Sequence, residues 1–165
     1  IDLGTTTLGL VCKHSDKVII CSKVLEKYVK ERYPMTHTAV IYNPFDVNGL
    51  LEEAKENIEQ VDKPFFEREG AIVAAMGRED VLKGYWHLIK AFSKMDIPNI
   101  YLCIIGNGEF ENEQQLVKDL GLEKRVYFTG GKKNPFAYLK YADLYVMSSI
   151  HEGFPNGLST QKMEF

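Results

Sequence analysis

The chain predicts an α/β fold, a doubly wound parallel sheet, from about Thr38 to its end. Three observations carry this. Ile72–Met76, Tyr101–Ile105 and Leu144–Met147 are continuous apolar runs without polar alternation, as expected of strands buried on both faces. Between them lie stretches of helical period, clearest in Tyr85, Leu88, Ile89 and Phe92 at i, i+3, i+4 and i+7. Glycine, asparagine and proline punctuate the joins, and strands alternating with helices imply a sheet covered on both sides.

The elements follow in order. Lys17–Ser22 reads as a short buried strand, and Ser22 is suited to cap a helix from Lys23 to about Tyr33 with Leu25, Tyr28 and Val29 on one face. Pro34 ends it. Thr38–Tyr42 is a second strand, stopped by Asn43-Pro44, and Asp46 or Asn48 can cap a polar helix through about Ile58. Gln60–Gly70, with Pro64 and mixed charge, reads as a surface connection. Gly106-Asn107-Gly108 breaks the Tyr101 strand, and a helix from Glu109 to Leu120 is stopped by Gly121. Val126–Thr129 is a short strand, Asn134-Pro135 opens a helix with Asn as its cap, and Leu144–Met147 is the last strand.

Composition limits the function. The 165 residues are 45% hydrophobic and 26% charged, ordinary for a globular domain with one sizeable core. A net charge of -3 argues against a surface built on phosphate contacts to nucleic acid. No apolar run approaches bilayer length, and Ile1–Val11 lacks the basic start of a signal peptide. Cys12, Cys21 and Cys103 are odd in number and have no C-x-x-C spacing, which suits reduced, buried thiols and a cytoplasmic compartment. His14, His37, His87 and His151 have no ligand spacing, so no metal site is expected. Without an initiator Met, the chain reads as part of something longer.

Three loops carry candidate chemistry at the strand ends, where ligands bind in such sheets. Gly77-Arg78 follows the first long strand, and Lys83-Gly84 stands immediately before the Tyr85 helix. Arg forks across two oxygens and Lys supplies a point charge, a pairing that suits a diphosphate. The alternative is that Arg78 pairs with Glu79 or Asp80 and Lys83 is solvated. Gly106-Asn107-Gly108-Glu109 is either a bare turn or a close approach to ligand, and it lacks the third glycine of a dinucleotide fingerprint.

The third loop is Glu152-Gly153-Phe154-Pro155-Asn156-Gly157. A carboxylate at the mouth of a sheet can accept bonds from sugar hydroxyls. A structural Glu152 would instead pair with Lys132, Lys133 or Lys140. His151 can serve a ligand or the loop itself. Trp86 is expected to pack under its helix. No arrangement for covalent catalysis is present in the sequence.

Ile41-Tyr42-Asn43-Pro44, Gly77-Arg78, Lys83-Gly84, Leu88-Ile89-Lys90-Ala91-Phe92 and Ile105-Gly106-Asn107-Gly108 occur in that order. Val126-Tyr127-Phe128-Thr129-Gly130, Asn134-Pro135, Ala142-Asp143-Leu144, Ser148-Ser149 and Glu152-Gly153-Phe154-Pro155-Asn156 complete the series. Over nearly all of residues 17–158 the chain resembles the C-terminal domain of family 4 (group 1) retaining glycosyltransferases of the GT-B fold.

The resemblance implies two Rossmann-like domains facing a cleft. Residues 1–37 would be the end of the N-terminal domain and the linker, and residues 38–165 a C-terminal donor-binding domain truncated at its end. Arg78 and Lys83 would hold the diphosphate of a nucleotide-sugar, a UDP- or GDP-sugar. Glu152, the candidate catalytic residue, would bind the donor sugar's hydroxyls. The amides of Gly153, Phe154, Pro155, Asn156 and Gly157, as far as each has one, would meet sugar and phosphate. Gly77, Gly106, Asn107 and Gly108 would border the donor. The resemblance implies neither cofactor nor metal, because basic side chains and helix termini neutralise the leaving diphosphate.

It also implies a carbohydrate or lipid-linked acceptor held by the missing N-terminal domain, and synthesis of surface polysaccharide or glycolipid. The full-length protein would be cytoplasmic, with peripheral association at the inner face of the membrane. The family places a second glutamate, a ribose clamp, eight residues after the first, where this chain has Thr160. That departure favours a second reading, a nucleotide-binding or interaction module without transfer activity. A sugar-nucleotide epimerase of the same two-domain fold is disfavoured by the Glu152 run.

Overall fold

The computed structural model describes residues 7–33 and 37–152, and the chain divides between Phe45 and Asp46 into two compact units. The first holds α1 (Thr7–His14), β1 (Val18–Ile20), α2 (Lys23–Arg32) and β2 (Thr38–Val40). Ser22 caps α2 as expected, its side chain accepting from the Leu25 amide at 3.2 Å. Val29 is buried on that helix while Tyr28 is exposed. β1 and β2 are parallel, with Val18 opposite Thr38 and Ile20 opposite Val40. The strand from Thr38, expected to begin the second domain, thus pairs inside the first unit.

The second unit contains α3 (Val47–Ala54), α4 (Lys63–Phe66), β3 (Ala71–Met76), α5 (Tyr85–Phe92) and β4 (Ile100–Ile105). It continues with α6 (Glu111–Asp119), β5 (Val126–Gly130), α7 (Phe136–Leu139) and β6 (Leu144–Tyr145). The four strands are parallel in the order β5-β4-β3-β6. The sheet therefore grows in one direction from β3 through β5 and then returns to the other side of β3. Asp143 fixes that return: its carboxylate accepts from the Ile72 amide at 2.8 Å, and its own amide donates to the Ile72 carbonyl.

The alternation of side chains across each strand builds two cores. Val73, Ala75, Leu102 and Ile104 face one way, against Tyr85, Ile89 and Phe92 of α5 and Val117 of α6. Ile72, Ala74, Cys103 and Ile105 face the other, against Phe65 and Phe66 of α4 and Ala137, Tyr138 and Leu139 of α7. β3 and β4 are buried on both faces as expected, but the last strand is shorter than Leu144–Met147, covering Leu144–Tyr145 at the end of the strand order with Leu144 exposed. Cys103 is buried, whereas Cys12 and Cys21 are only partly so.

Several local expectations are corrected. Residues 60–70 are not a surface connection: α4 carries Phe65 and Phe66 into the core, and Asp62 at its start is 1% exposed. The Asp62 carboxylate accepts from the hydroxyls of Tyr127 and Tyr138 at 2.6 and 2.8 Å and pairs with Lys132 at 2.7 Å. Burial opposes its ionisation, but these partners outweigh it and hold the carboxyl below its ordinary range. Burial and the bond to Asp62 push the Tyr127 phenol up to about 12.

α3 ends at Ala54 rather than Ile58. α6 starts at Glu111 because Phe110 adopts φ 52, a left-handed conformation that stops the helix running back to Glu109. Trp86 lies on the outside of α5, stacked on His87 and under the Lys90 ammonium. Asn134 opens α7 as expected, its amide oxygen accepting from the amides of Phe136 and Ala137.

Candidate active site at the sheet reversal

Because all four strands are parallel, their carboxyl ends share one edge of the sheet. β3 and β6 are adjacent there, yet the chain leaves them on opposite sides of the reversal, which opens a crevice between their loops. A cavity of about 390 Å³ occupies this place, lined by Gly77, Arg78, Asp80, Leu82, Lys83, His151 and Glu152.

The loop after β3 is built to present its cations. Gly77 continues the ladder by donating to the Ile105 carbonyl at 2.9 Å, at a φ of 154 that suits glycine. A single 3₁₀ turn, Val81–Lys83, follows and is capped by Asp80, whose carboxylate accepts from the Leu82 amide. This turn was not anticipated. It places Arg78 and Lys83 on one side of the cavity. Gly84 (φ 62) then opens α5, and a side chain there would strike the Ser148 carbonyl.

The loop after β6 is sewn to the same turn. The Ser148 hydroxyl donates to the Lys83 carbonyl at 2.8 Å, and the Ile150 amide donates to the Leu82 carbonyl at 2.8 Å. These bonds deliver Glu152 to Lys83, with Nζ 2.7 Å from Oε1, while the Ser149 hydroxyl donates to the same carboxylate oxygen at 2.7 Å. Burial works against the charge on Glu152. The bonds from Lys83 and Ser149, with the attraction of Lys83 and His151, overcome it and hold the carboxyl below its usual range.

The alternatives left open by the sequence resolve individually. Arg78 does pair with Asp80, at 3.1 Å, and is 77% exposed, so the ion pair is screened and readily exchanged. Lys83 is not merely solvated. Glu152 has Lys83 as its partner, while Lys132 is taken by Asp62 and Glu59 and Lys140 by the Glu56 carbonyl.

Gly106, Asn107 and Gly108 form the adjoining loop rather than the cavity wall. Gly106 donates to the Gly130 carbonyl, and a side chain on it would overlap the Gly77 carbonyl, so the two loops touch through their backbones. Asn107 accepts from the Glu79 amide at 2.7 Å, and Gly108 (φ 144) lies against the Glu79 side chain.

Gly153, Phe154, Pro155, Asn156, Gly157 and Thr160 lie outside the described residues. Asp80, Leu82, Ser149 and Glu79 were not identified from sequence as site residues. Only the run Arg78-Glu79-Asp80, with two acids beside the loop cation, hinted at Glu79 and Asp80. Among the described residues, no group of His, Cys, Asp and Glu could hold a metal ion, and no helix is long and apolar enough to cross a membrane.

Comparison with known proteins gives the same outline. Residues 56–158 match the family described as glycosyl transferases group 1. The uncharacterized glycosyltransferase MJ1059 of Methanocaldococcus jannaschii is 31% identical over 149 residues, which are 87% of this chain and 36% of that protein. The O-antigen biosynthesis glycosyltransferase WclY of Escherichia coli is 31% identical over 84% of this chain and 38% of its own length. Among solved structures, Anabaena Alr3699/HepE in complex with UDP and glucose superposes with a TM-score of 0.75 at 22% identity, over 92% of this chain and 43% of that one. Sucrose-phosphate synthase of Thermosynechococcus elongatus gives 0.72 at 22% identity, over 90% and 38%. The chain thus spans less than half the length of each of these relatives, and its α/β fold is that of GT-B glycosyltransferases. On the match across residues 56–158, the chain belongs to the group 1 glycosyltransferases.

Proposed function

We propose that this chain is the donor-binding domain of a retaining glycosyltransferase that uses a nucleotide-sugar in the synthesis of surface polysaccharide or glycolipid. One observation carries the reading: Lys83 and Glu152 meet at the sheet reversal, in the same cavity as Arg78. A nucleotide-sugar presents a diphosphate next to a ring of hydroxyls, and the cavity offers two cations next to an ionised carboxylate. Arg78 would exchange Asp80 for phosphate oxygens, and Lys83 would turn its ammonium from Glu152 to the diphosphate. Glu152 would then accept from sugar hydroxyls. As the glycosidic bond breaks, negative charge grows on the leaving diphosphate, and the two cations favour that state over the ground state.

Gly153 to Gly157 would complete the sugar and phosphate contacts, and Gly106 to Gly108 would border the nucleotide. Both UDP and GDP suit this chemistry, and the HepE crystals with UDP make UDP the first probe. Transfer needs the acceptor oriented against the donor across a cleft, so this chain alone would bind the nucleotide and transfer no sugar. The acceptor, carbohydrate or lipid-linked, would belong to the remainder of the protein, along with any peripheral contact to the inner face of the membrane.

The test is calorimetric titration with UDP and GDP of the wild type, Arg78→Ala and Lys83→Ala. Each substitution should weaken binding by about 1–3 kcal/mol, the scale of a hydrogen bond to a charged partner. Equal affinity in all three proteins would remove the diphosphate site.

A further inference from the structure

Glu79 is the residue of this region whose placement is not explained by ligand contact. It follows Arg78 directly, yet its carboxylate lies away from the cavity lining and accepts from the Phe110 amide at 2.9 Å. Its own amide donates to the Asn107 carbonyl at 2.7 Å. One residue of the β3 loop therefore grips the Gly106–Phe110 loop near its start and at its end.

Phe110 makes this grip necessary. It stands at the start of α6 in a left-handed conformation, has no side-chain oxygen with which to cap the helix, and is 1% exposed between Tyr85 and Phe128. Glu79 supplies the missing cap from another loop, and its negative charge faces the positive end of the helix. Gly108 gives it room, since a side chain there would run into the Glu79 Cβ and carboxylate. Tyr85 closes the ring by donating its hydroxyl to the Gly77 carbonyl at 2.9 Å.

We infer that Glu79 is a positioning residue for the donor: through the Phe110 amide and the Asn107 carbonyl it fixes the Gly106–Phe110 loop against the Arg78 loop, so that nucleotide and diphosphate are held in register. The inference rests on the proposed donor site, in which the Gly106 loop borders the nucleotide and Arg78 the diphosphate. It makes an opposite demand from simple electrostatics. Removing a carboxylate beside Arg78 should tighten an anion, whereas removing a positioning residue should loosen the nucleoside part and leave the diphosphate part alone.

The experiment titrates wild type, Glu79→Gln and Glu79→Ala with UDP and, separately, with inorganic diphosphate, and follows hydrogen exchange at the Phe110 amide. Gln retains an oxygen to accept from Phe110. The expected result is UDP affinity lowered about tenfold in Glu79→Ala, near wild type in Glu79→Gln, with faster Phe110 exchange only in the Ala variant. Inorganic diphosphate should bind all three equally, or bind the variants more tightly.

UDP affinity unchanged or improved in Glu79→Ala would overturn the inference while leaving the donor site intact. So would an equal loss for UDP and diphosphate, which would mark a general loosening of the fold. If the wild type binds no nucleoside diphosphate at all, the donor site itself is wrong and this role falls with it.

Discussion

Lys83 Nζ stands 2.7 Å from Glu152 Oε1, and the two residues belong to loops on opposite sides of the point where the sheet reverses its strand order. Their pairing neutralises the cavity before any ligand arrives. In the proposed donor site a diphosphate would compete with Glu152 for Lys83, and in doing so it would release Glu152 for the sugar.

Glu152→Gln should separate these two roles. Without the carboxylate, Lys83 is free for the diphosphate, and UDP affinity should hold or rise by about 1 kcal/mol, the scale of a partly exposed ion pair. The additional affinity conferred by a donor sugar should fall. Titration with UDP and with a UDP-sugar measures both, and an unchanged difference between the two ligands would take Glu152 out of the sugar site.

Stability should depend on acid in a defined direction. Asp62 and Glu152 are both held below the ordinary carboxylate range in the folded protein. A depressed folded value means their contribution is complete above the unfolded pKa, about 4, and is lost as pH falls through the folded values. The melting temperature should hold from neutral pH to about 5 and drop below about 4. Asp62→Asn should flatten that drop, and a drop of equal depth in the variant would exclude Asp62 as a source.

Asp62→Ala should be among the more damaging substitutions in the second unit. It leaves Lys132 with Glu59 as its remaining ion-pair partner and takes away the acceptor to which the Tyr127 and Tyr138 hydroxyls donate, in a place where Asp62 is 1% exposed. Breaking a buried pair from one side costs about 3 kcal/mol. Chemical denaturation of the variant measures it, and a loss below about 1 kcal/mol, the scale of a surface pair, would mean that water replaces the carboxylate.

Two glycines near the site should respond differently to the same change. A methyl on Gly106 meets the Gly77 carbonyl, which is backbone and cannot give way, whereas a methyl on Gly131 meets the Asn107 amide, an exposed side chain free to turn. Gly106→Ala should lose about 1–3 kcal/mol and Gly131→Ala well under that. Equal losses in thermal melting would mean that the contact between the Gly77 and Gly106 loops is not rigid.

Periodicity and breakers made the framework of the second unit legible, because β3 and β4 are apolar on both faces and α5 has an unbroken stripe. Arg78, Lys83 and Glu152 stood out as candidates because charge at a strand end is conspicuous, and the structure brings the three to one cavity. The missed features depend on partners far along the chain. α4 was hidden because Pro64 and the charges around it outweigh a single Phe65-Phe66 pair, and Asp62 looks solvated until Tyr127, Lys132 and Tyr138 fold over it. Glu79 looks like one more surface acid until the Phe110 amide turns toward it. Phe110 itself broke a helical pattern through its backbone conformation, which composition does not encode.

β6 pairs with β3 through only two positions, Leu144 with Val73 and Tyr145 with Ala74, at a separation of about seventy residues along the chain. Closing so long a loop for so short a ladder is slow and weakly rewarded, so this strand should dock last in folding and be the first part of the sheet to open. Glu152 travels with it. The side of the cavity that carries Arg78 and Lys83 can form early, but the Glu152 side exists only while that strand is seated. A donor bound to both halves would hold the strand in place, making ligand occupancy and the completion of folding a single event.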